Sequence, residues 1–241
     1  MNVITLSDEL TAVLDDFEMH PADTPERRQE AYRVRHQVYC VENDFLVGIN
    51  GMEMDEFDAH AQQMLLCHRG SGDVVGTVRL VLPRPDRLEA SFPVQRHCPA
   101  ALLAHLPLAR SGEGSRFALS KHRLGNSRAS AHLLRVWLMH GIVRMSVEAG
   151  NTYILAVMER SLLRLLRVTG VNFIPVGQPV AYHGLRQPAY VRIQTMLTQV
   201  LEKRPDVWFM MTDGGRYTGG DPPAAEEIAR ALEPAAALQR I

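Results

Sequence analysis

The segment that constrains the fold most is a long apolar helix pattern followed directly by a short apolar strand. Between residues 134 and 145 apolar side chains recur at the spacing of one helical face, and Gly150 stands where such a helix would end. The next run, 153–158, is apolar without alternation. A strand of that composition is typical of the middle of a sheet that is covered on both faces. The two patterns together predict a sheet packed between helices.

The rest of the chain supplies further strands and helices around this pair. Strands are predicted at 63–68, 74–82, 115–120, 171–176 and 207–212, and helices at 25–38, 127–149, 159–169 and 186–203, with Ser127 capping the second helix. Residues 83–107 are rich in Pro, Arg and His, which predicts a surface excursion with little regular structure. This order predicts an α/β (α+β) fold, a mixed β-sheet flanked by helices on both faces. We expect one domain at 1–213 and a peripheral, helical C-terminal tail at 214–241.

Composition and charge exclude several classes of protein. With 241 residues, 46% hydrophobic and 22% charged, the chain is unlike disordered, collagen-like or coiled-coil proteins. A net charge of −1 gives no global attraction to nucleic acid or to an anionic membrane. Cys40, Cys67 and Cys98 form no CxxC pair and are predicted to be buried free thiols. An acidic N-terminal segment and apolar runs shorter than about 20 residues predict a cytoplasmic location without membrane insertion.

Three carboxylates, Glu53, Asp55 and Asp58, stand close together in the segment 51–58. In an extended chain Glu53 and Asp55 would share a face. Converging carboxylates can hold an ammonium group, orient a cationic substrate, or supply a base whose pKa is raised by its neighbours. They could also bind Mg²⁺ or Ca²⁺, although the spacing is not that of an EF-hand, or form an acidic loop exposed to solvent. Spacing alone leaves these alternatives open.

An arginine and two aromatic residues precede the acidic cluster. Arg35 and Tyr39 are four residues apart on a predicted helix, so one face would carry a guanidinium beside an aromatic ring, and Phe45 follows. Such a face suits a pocket wall in which Arg35 pairs with the acidic cluster and Tyr39 stacks on a ligand. An ordinary amphipathic helix would show the same pattern.

Polar residues also interrupt two predicted strands. Glu113 could activate an amine through water, and Ser115 could donate a hydrogen bond to a carbonyl. No GxSxG elbow surrounds Ser115, so a serine hydrolase of that type is excluded. Arg79 lies within an apolar strand and is expected to need a carboxylate partner, for which Asp55, Asp58 and Glu113 are candidates.

Basic residues elsewhere could dock an acidic carrier protein or the phosphates of a pantetheine arm, although such charges are usually only solvated. They are Lys121, Arg123 and Arg128 near a polar loop, and Arg160, Arg164 and Arg167 on one predicted helix. The ten histidines form no HExxH or HxxxH pair, so no metal site is predicted.

Taken in order, these segments resemble the acyl-homoserine-lactone synthases, the autoinducer synthase branch of the GNAT-like acyltransferases. The resemblance runs from about residue 32 to residue 176. It rests on Arg35, Tyr39 and Phe45, on Glu53, Asp55 and Asp58 in GMEMDEFD, on Arg79 in GTVRL, and on Glu113, Ser115, Arg116 and Phe117 in EGSRF. The family places Phe and Trp where this chain has Tyr39 and Phe45. The segment 179–188 is similar to acyltransferases associated with exosortase systems, and N-acyl amino acid synthases share the same core.

The resemblance implies a GNAT-like N-acyltransferase that uses no cofactor. Its donor would be a fatty acyl thioester on acyl carrier protein or coenzyme A, lying across the sheet, and its acceptor a small amine. The implied catalytic residues are Glu113, Ser115 and Asp55, and the implied substrate-binding residues are Arg35, Tyr39, Phe45, Glu53, Asp58, Arg79, Arg116, Phe117 and Ala156. Glu113 would be the base, acting through water. Ala156 falls where a Thr often reads a 3-oxo group, which argues against a preference for 3-oxo chains.

The resemblance leaves the acceptor open. S-adenosylmethionine carries a sulfonium as well as an ammonium, and a surplus of carboxylate at 53–58 would suit it. A free amino acid is the alternative, and it would give an N-acyl amino acid. A third possibility, from a different class, is a non-catalytic module that binds an acyl carrier. The presence of all three acidic residues and both arginines argues against the third.

Overall fold

The computed structural model describes residues 8–125, 129–182 and 184–220. Its strands are β1 (Phe17–Pro21), β2 (Ala61–His68), β3 (Val74–Val81), β4 (Ser111–Leu119), β5 (Tyr153–Glu159), β6 (Ile174–Pro175), β7 (Val180–Ala181) and β8 (Leu185–Arg192). Its helices are α1 (Asp8–Asp16), α2 (Pro25–His36), α3 (Ala100–Leu103), α4 (Lys121–Leu124), α5 (Ala131–Glu148), α6 (Arg160–Val168), α7 (Ile193–Lys203) and α8 (Pro205–Thr212).

A mixed sheet forms the centre of the described structure. The strand order is β1-β2-β3-β4-β5-β8-β6, with β7 paired to β8. Strands β4 and β5 are parallel, and the other neighbours are antiparallel. The predicted mixed sheet is therefore confirmed.

Helices cover both faces of this sheet. On one face α5 packs against β1 to β4, and α1, α7 and α8 complete a large apolar core. Gly141 lets α5 approach closely, because a Cβ there would lie 2.7 Å from the Cε of Met19. On the other face α2 packs on β2, β3 and β4. Thr24 caps α2 by accepting a hydrogen bond from the Arg27 N–H at 3.3 Å, and Pro25 stands at its first position.

Strands β4 and β5 separate after a short parallel contact. Their pairing runs from Ser111↔Tyr153 to Glu113↔Leu155, while β4 continues to Leu119 against β3. Beyond Ser115 a β-bulge adds one residue to β4, and Arg116 takes a left-handed backbone conformation with φ +49°. The two parallel strands consequently form the sides of a cleft that opens beyond Glu113.

Two predicted elements near the C-terminus were wrong, and a third is shorter than predicted. The helix predicted at 186–203 is strand β8 followed by α7, because Pro188 would remove a hydrogen bond from a helix interior, whereas β8 pairs Pro188 with Val157. The strand predicted at 207–212 is helix α8, which begins at Pro205 and buries its apolar run against α5 and α7. An apolar run of six residues does not distinguish the two by periodicity. The strand predicted at 171–176 is reduced to β6.

Other predictions can be compared directly. The excursion at 83–107 contains only 3₁₀ turns and the short helix α3, as predicted, but it is not confined to the surface, because Phe92, Val94 and Leu103 are buried in an apolar cluster. Ser127 lies outside the described residues, and the described helix α5 begins at Ala131. Cys67 and Cys98 are buried free thiols, while Cys40 is half-buried. Most of the predicted tail, 221–241, also lies outside the described residues. Within the described ranges no helix is long and apolar enough to span a bilayer.

Candidate active site

A buried ionic network joins three carboxylates to three guanidinium groups beneath the cleft. Its members are Arg35 on α2, Glu53, Asp55 and Asp58 in the segment after α2, Arg79 on β3, and Arg116 on β4. The side chains of Arg35 and Arg79 are fully buried, and those of Glu53 and Asp58 are 4% exposed. Residues that are far apart in the sequence are thus joined across two strands and a helix.

Each carboxylate in the network accepts hydrogen bonds from two of the arginines. Arg35 donates from Nε to Glu53 at 2.6 Å and from both Nη atoms to Asp58 at 2.7 and 3.0 Å. Arg79 donates from both Nη atoms to Asp55 at 2.5 and 3.0 Å, and to Asp58 at 2.9 Å. Such paired contacts fix both the distance and the plane of each group. The partner expected for Arg79 is therefore supplied by Asp55 and Asp58, and Glu113 does not serve.

The bulge in β4 directs Arg116 into the same network. Arg116 donates to Glu53 from Nε and Nη2 at 2.8–3.0 Å and to Asp55 from Nη2 at 2.8 Å. The neighbouring Ser115 accepts from Nε of Arg79 at 3.0 Å. The guanidinium of Arg116 also lies 5.9 Å from the ring centroid of Tyr39. Consecutive residues of β4 therefore contact one cluster, which an unbulged strand would not allow.

Pairing with arginine keeps the three carboxylates ionised. Burial alone would raise their pKa values, but the arginines outweigh it, and the pKa of Asp58 falls to about 2. Three negative groups face three positive groups, so the cluster carries no surplus charge. The expectation of surplus carboxylate for a sulfonium was therefore wrong. Mg²⁺ or Ca²⁺ at these oxygens would have to displace the arginines.

Glu113 is the carboxylate that stands apart from this network. Its side chain is 1% exposed and accepts a hydrogen bond from the Val94 N–H at 2.8 Å. Burial raises the pKa of Glu113 to about 8, although the Val94 hydrogen bond and the charge of Arg79 act in the opposite direction. A carboxylate with that pKa can accept a proton from an ammonium near neutral pH.

Two connected spaces open where β4 and β5 separate. The larger is a cavity of about 480 Å³, and its apolar walls include Met139, Ile142, Ala156, Leu166 and Phe173. The smaller is a recess of about 50 Å³ lined by Glu113, Ser115, Arg116, Tyr182 and Arg186, together with Tyr39 and Phe45. Ser115, Arg116, Tyr39, Phe45 and Arg186 line both spaces. The site therefore joins an apolar cavity to a polar recess that contains Glu113.

Residues 22–192 match the sequence family described as autoinducer synthase. The chain belongs to the autoinducer synthase family. It is 31% identical over 157 residues to an acyl-homoserine-lactone synthase of Agrobacterium fabrum (strain C58 / ATCC 33970), a match that covers 64% of this chain and 72% of the relative. Family membership makes the protein an enzyme, an acyltransferase, as the resemblance implied.

Solved structures agree on the fold of this family member. The CoA-dependent acyl-homoserine lactone synthase BjaI, solved with SAM and isopentyl-CoA, has a TM-score of 0.56 at 22% identity, over 90% of this chain and 98% of BjaI. FeeM, an N-acyl amino acid synthase from uncultured soil microbes, has a TM-score of 0.58 at 17% identity, over 77% of this chain and 94% of FeeM. Both likenesses confirm the GNAT-like architecture.

The remaining candidate residues of this family member fall in several places. Phe117, Ala156 and Lys121 line the larger cavity. Arg123 instead pairs with Glu30 on α2, at 2.5 Å. Arg128 lies outside the described residues. The three arginines of α6 are exposed, and they are Arg160, Arg164 and Arg167.

Two further residues at the walls of the site, Arg186 and Glu42, are not among the predicted site residues. The sequence predicts Arg186 in a helix, and only the pairing of β8 with β5 brings it to the cleft. Glu42 lies in a π-helical turn (Gln37–Glu42) and accepts hydrogen bonds from Ser120 Oγ at 2.6 Å and from the Lys121 N–H at 3.1 Å. It thereby ties the aromatic segment that follows α2 to the end of β4. In the sequence, the position of Glu42 three residues after Tyr39 is the feature that could have indicated this role.

Proposed function

We propose that this family member transfers a fatty acyl group from a thioester to the amine of S-adenosylmethionine and forms an acyl-homoserine lactone. The observation that carries the proposal is the junction of the apolar cavity with the recess of Glu113. The reaction must bring an acyl chain close to a group that can deprotonate the acceptor amine. The name of the Agrobacterium relative and the ligands named for BjaI, SAM and isopentyl-CoA, support the same pair of substrates.

The donor occupies the larger cavity in this proposal. Apolar walls around 480 Å³ favour a hydrocarbon chain, because its burial removes apolar surface from water. The pantetheine arm runs out between β4 and β5, where the ladder ends at Glu113↔Leu155. In this proposal Lys121, which lines the cavity, and the exposed arginines of α6 attract the phosphate of pantetheine or an acidic carrier protein. Either acyl carrier protein or coenzyme A satisfies this arrangement.

The chemistry starts with the acceptor ammonium. Glu113 removes one proton through a water molecule, and the freed lone pair attacks the thioester carbonyl. Backbone N–H groups of β4 beyond its contact with β5 stabilise the oxyanion. Collapse of the intermediate expels the thiolate, which takes the second proton lost by the nitrogen, and leaves an amide. The acceptor carboxylate then attacks the carbon next to the sulfonium, which closes the lactone and releases methylthioadenosine.

The ionic network and the aromatic rings position the acceptor. Because the network is neutral, attraction for the sulfonium comes from the ring faces of Tyr39 and Phe45. Asp55 acts through Arg116, which lines the recess, and Asp55 and Asp58 both act through Arg79, which donates to Ser115. Asp55 is thus a positioning residue in this proposal.

A free amino acid is the second candidate acceptor. The neutrality of the ionic network favours it, because a zwitterion needs no surplus carboxylate. The structural likeness to FeeM is compatible with this acceptor. The product would then be an N-acyl amino acid, with the same donor and the same base.

One product assay tests the proposal. The purified protein is given a panel of acyl thioesters, on acyl carrier protein and on coenzyme A, with S-adenosylmethionine or each of the twenty amino acids. We expect mass spectrometry to find an acyl-homoserine lactone and methylthioadenosine when S-adenosylmethionine is the acceptor, and no acylated product when an amino acid is the acceptor. N-acyl amino acids in place of the lactone would establish the second candidate. Thiol release without an acylated product would contradict both.

The raised pKa of Glu113 predicts how the rate depends on pH. The base works in its ionised form, and ionisation increases as pH rises through the pKa of about 8. We therefore expect kcat/KM to rise roughly tenfold per pH unit below that value and then to level off, since kcat/KM reports the free enzyme. The acceptor amine also titrates, so the profile is compared with that of Glu113→Gln. An identical slope in the variant would assign the rise to the amine alone.

A further inference from the structure

The recess beside Glu113 contains two cationic side chains, Arg116 and Arg186. The acceptor in the proposed function has an ammonium and a carboxylate on the same carbon. When its ammonium faces Glu113, its carboxylate lies only a few ångströms away and needs a donor within the same recess. One of the two guanidinium groups therefore has to receive it.

Arg116 is poorly suited to that task. Its Nε and Nη2 atoms already donate to Glu53 and Asp55 at 2.8–3.0 Å. These carboxylates outweigh the effect of burial and raise the pKa of Arg116. A further carboxylate placed there would lie close to two fixed negative charges. Repulsion from them would offset the attraction to the guanidinium.

Arg186 stands on the opposite wall, on β8. Its Nη2 atom lies 3.0 Å from Oε1 of Glu159, which is its partner across the β5–β8 pair. The Glu159 side chain is 46% exposed, whereas that of Arg186 is 17% exposed. An ion pair with one partner so exposed contributes little, so Glu159 can turn into solvent and give way to another carboxylate.

Neighbouring rings hold Arg186 in its orientation. Its guanidinium carbon lies 5.9 Å from the ring centroid of Tyr182, and that ring is 4.1 Å from the ring of His97. Arg186 also lines the larger cavity, so it stands at the junction between the acyl site and the recess. A guanidinium fixed at this point can meet a carboxylate with two parallel hydrogen bonds.

We propose that Arg186, packed against Tyr182, binds the α-carboxylate of the acceptor while Glu113 faces its ammonium. This inference rests on the proposed function, because it requires an acceptor that is an α-amino acid or a derivative of one. It assigns acceptor selection to β8, whose contribution to the site no sequence motif reveals. Glu159 is then a resident carboxylate that the acceptor displaces.

The test compares two variants, of which only the first should raise KM for the acceptor. Arg186→Gln is expected to raise KM for S-adenosylmethionine roughly 10- to 10²-fold, the worth of a charged hydrogen-bond pair, without changing KM for the acyl thioester. Glu159→Gln removes the competing carboxylate and should lower KM for the acceptor or leave it unchanged. Arg192→Gln, at the exposed end of the same strand, is the matched control and should behave as wild type.

A second measurement removes the carboxylate from the acceptor instead. Wild type should prefer S-adenosylmethionine to its decarboxylated analogue, measured as thiol release, and Arg186→Gln should lose that preference while Arg186→Lys keeps part of it. If Arg186→Gln retains the full wild-type preference, the inference is overturned. Equal losses of acceptor affinity in Arg186→Gln and Glu159→Gln would also overturn it, because they would indicate a purely structural ion pair. If wild type acylates neither S-adenosylmethionine nor any amino acid, the proposed function fails, and this inference falls with it.

Discussion

Replacing Glu113 with glutamine is expected to lower kcat by at least about 10²-fold and to leave the fold intact. A positioned general base contributes typically 10²–10⁴-fold, and an amide cannot accept the ammonium proton. The amide oxygen can still accept the hydrogen bond from the Val94 N–H. Steady-state kinetics with saturating acyl thioester and acceptor measures the loss. The control is Glu89→Gln, an exposed carboxylate of the same excursion as Val94.

The same variant should also change how stability depends on pH. Burial raises the pKa of Glu113 from its ordinary value of 4.5 to about 8, so the folded state binds this proton more tightly than the unfolded state. Wild type therefore loses stability as pH rises from about 4.5 to about 8, whereas the variant lacks this contribution. Melting curves across that range check the sign.

The kinetic prediction has its own contradicting outcome. A wild-type kcat in Glu113→Gln would remove this residue from the mechanism.

Replacing Arg79 with alanine is expected to lower the free energy of unfolding more than any of the other substitutions described above. Arg79 is fully buried and contacts both Asp55 and Asp58, so its removal leaves each of these carboxylates with one arginine instead of two and gives the network an uncompensated negative charge. Breaking a buried pair in this way costs about 3–5 kcal/mol. At roughly 2–4 °C per kcal/mol for a protein of this size, Tm should fall by roughly 6–20 °C.

The matched control for Arg79→Ala is Arg84→Ala. Arg84 pairs with Asp86, whose side chain is 68% exposed, and a surface pair of this kind is worth about 0–1 kcal/mol. Thermal unfolding followed by circular dichroism compares the two variants. Equal Tm values for them would mean that water reaches the ionic network and that its members are not truly buried.

The sequence predicts that Arg79 pairs with the acidic cluster, although spacing alone leaves the role of that cluster open. A charged Arg79 inside an apolar strand demands a carboxylate, and Asp55 and Asp58 lie within a short segment of strong acidity. The central helix and strand could also be predicted, since Gly150 separates two unambiguous patterns. What spacing could not give was the balance of charge, because Arg116 reaches Glu53 and Asp55 only through the bulge.

The parts of the site that were missed depend on contacts between distant segments. Arg186 approaches Glu113 because β8 inserts beside β5, a pairing between segments that are distant in the sequence. The pKa of Glu113 is raised by burial beneath the excursion, which also supplies the Val94 N–H, a hydrogen bond that lowers the pKa. No local pattern encodes either of these contacts.

The bulge at Arg116 makes the length of β4 as important as its composition. The pairing with β3 changes register between Ala118↔Thr77 and Ser115↔Arg79, so β4 is one residue longer than its partner at this point. Deleting a single residue there would restore a regular alternation and turn the Arg116 side chain away from Glu53. Such a chain would keep nearly every chemical group of the site but lose their convergence. Insertions and deletions between Glu113 and Leu119 should therefore be tolerated far less than substitutions.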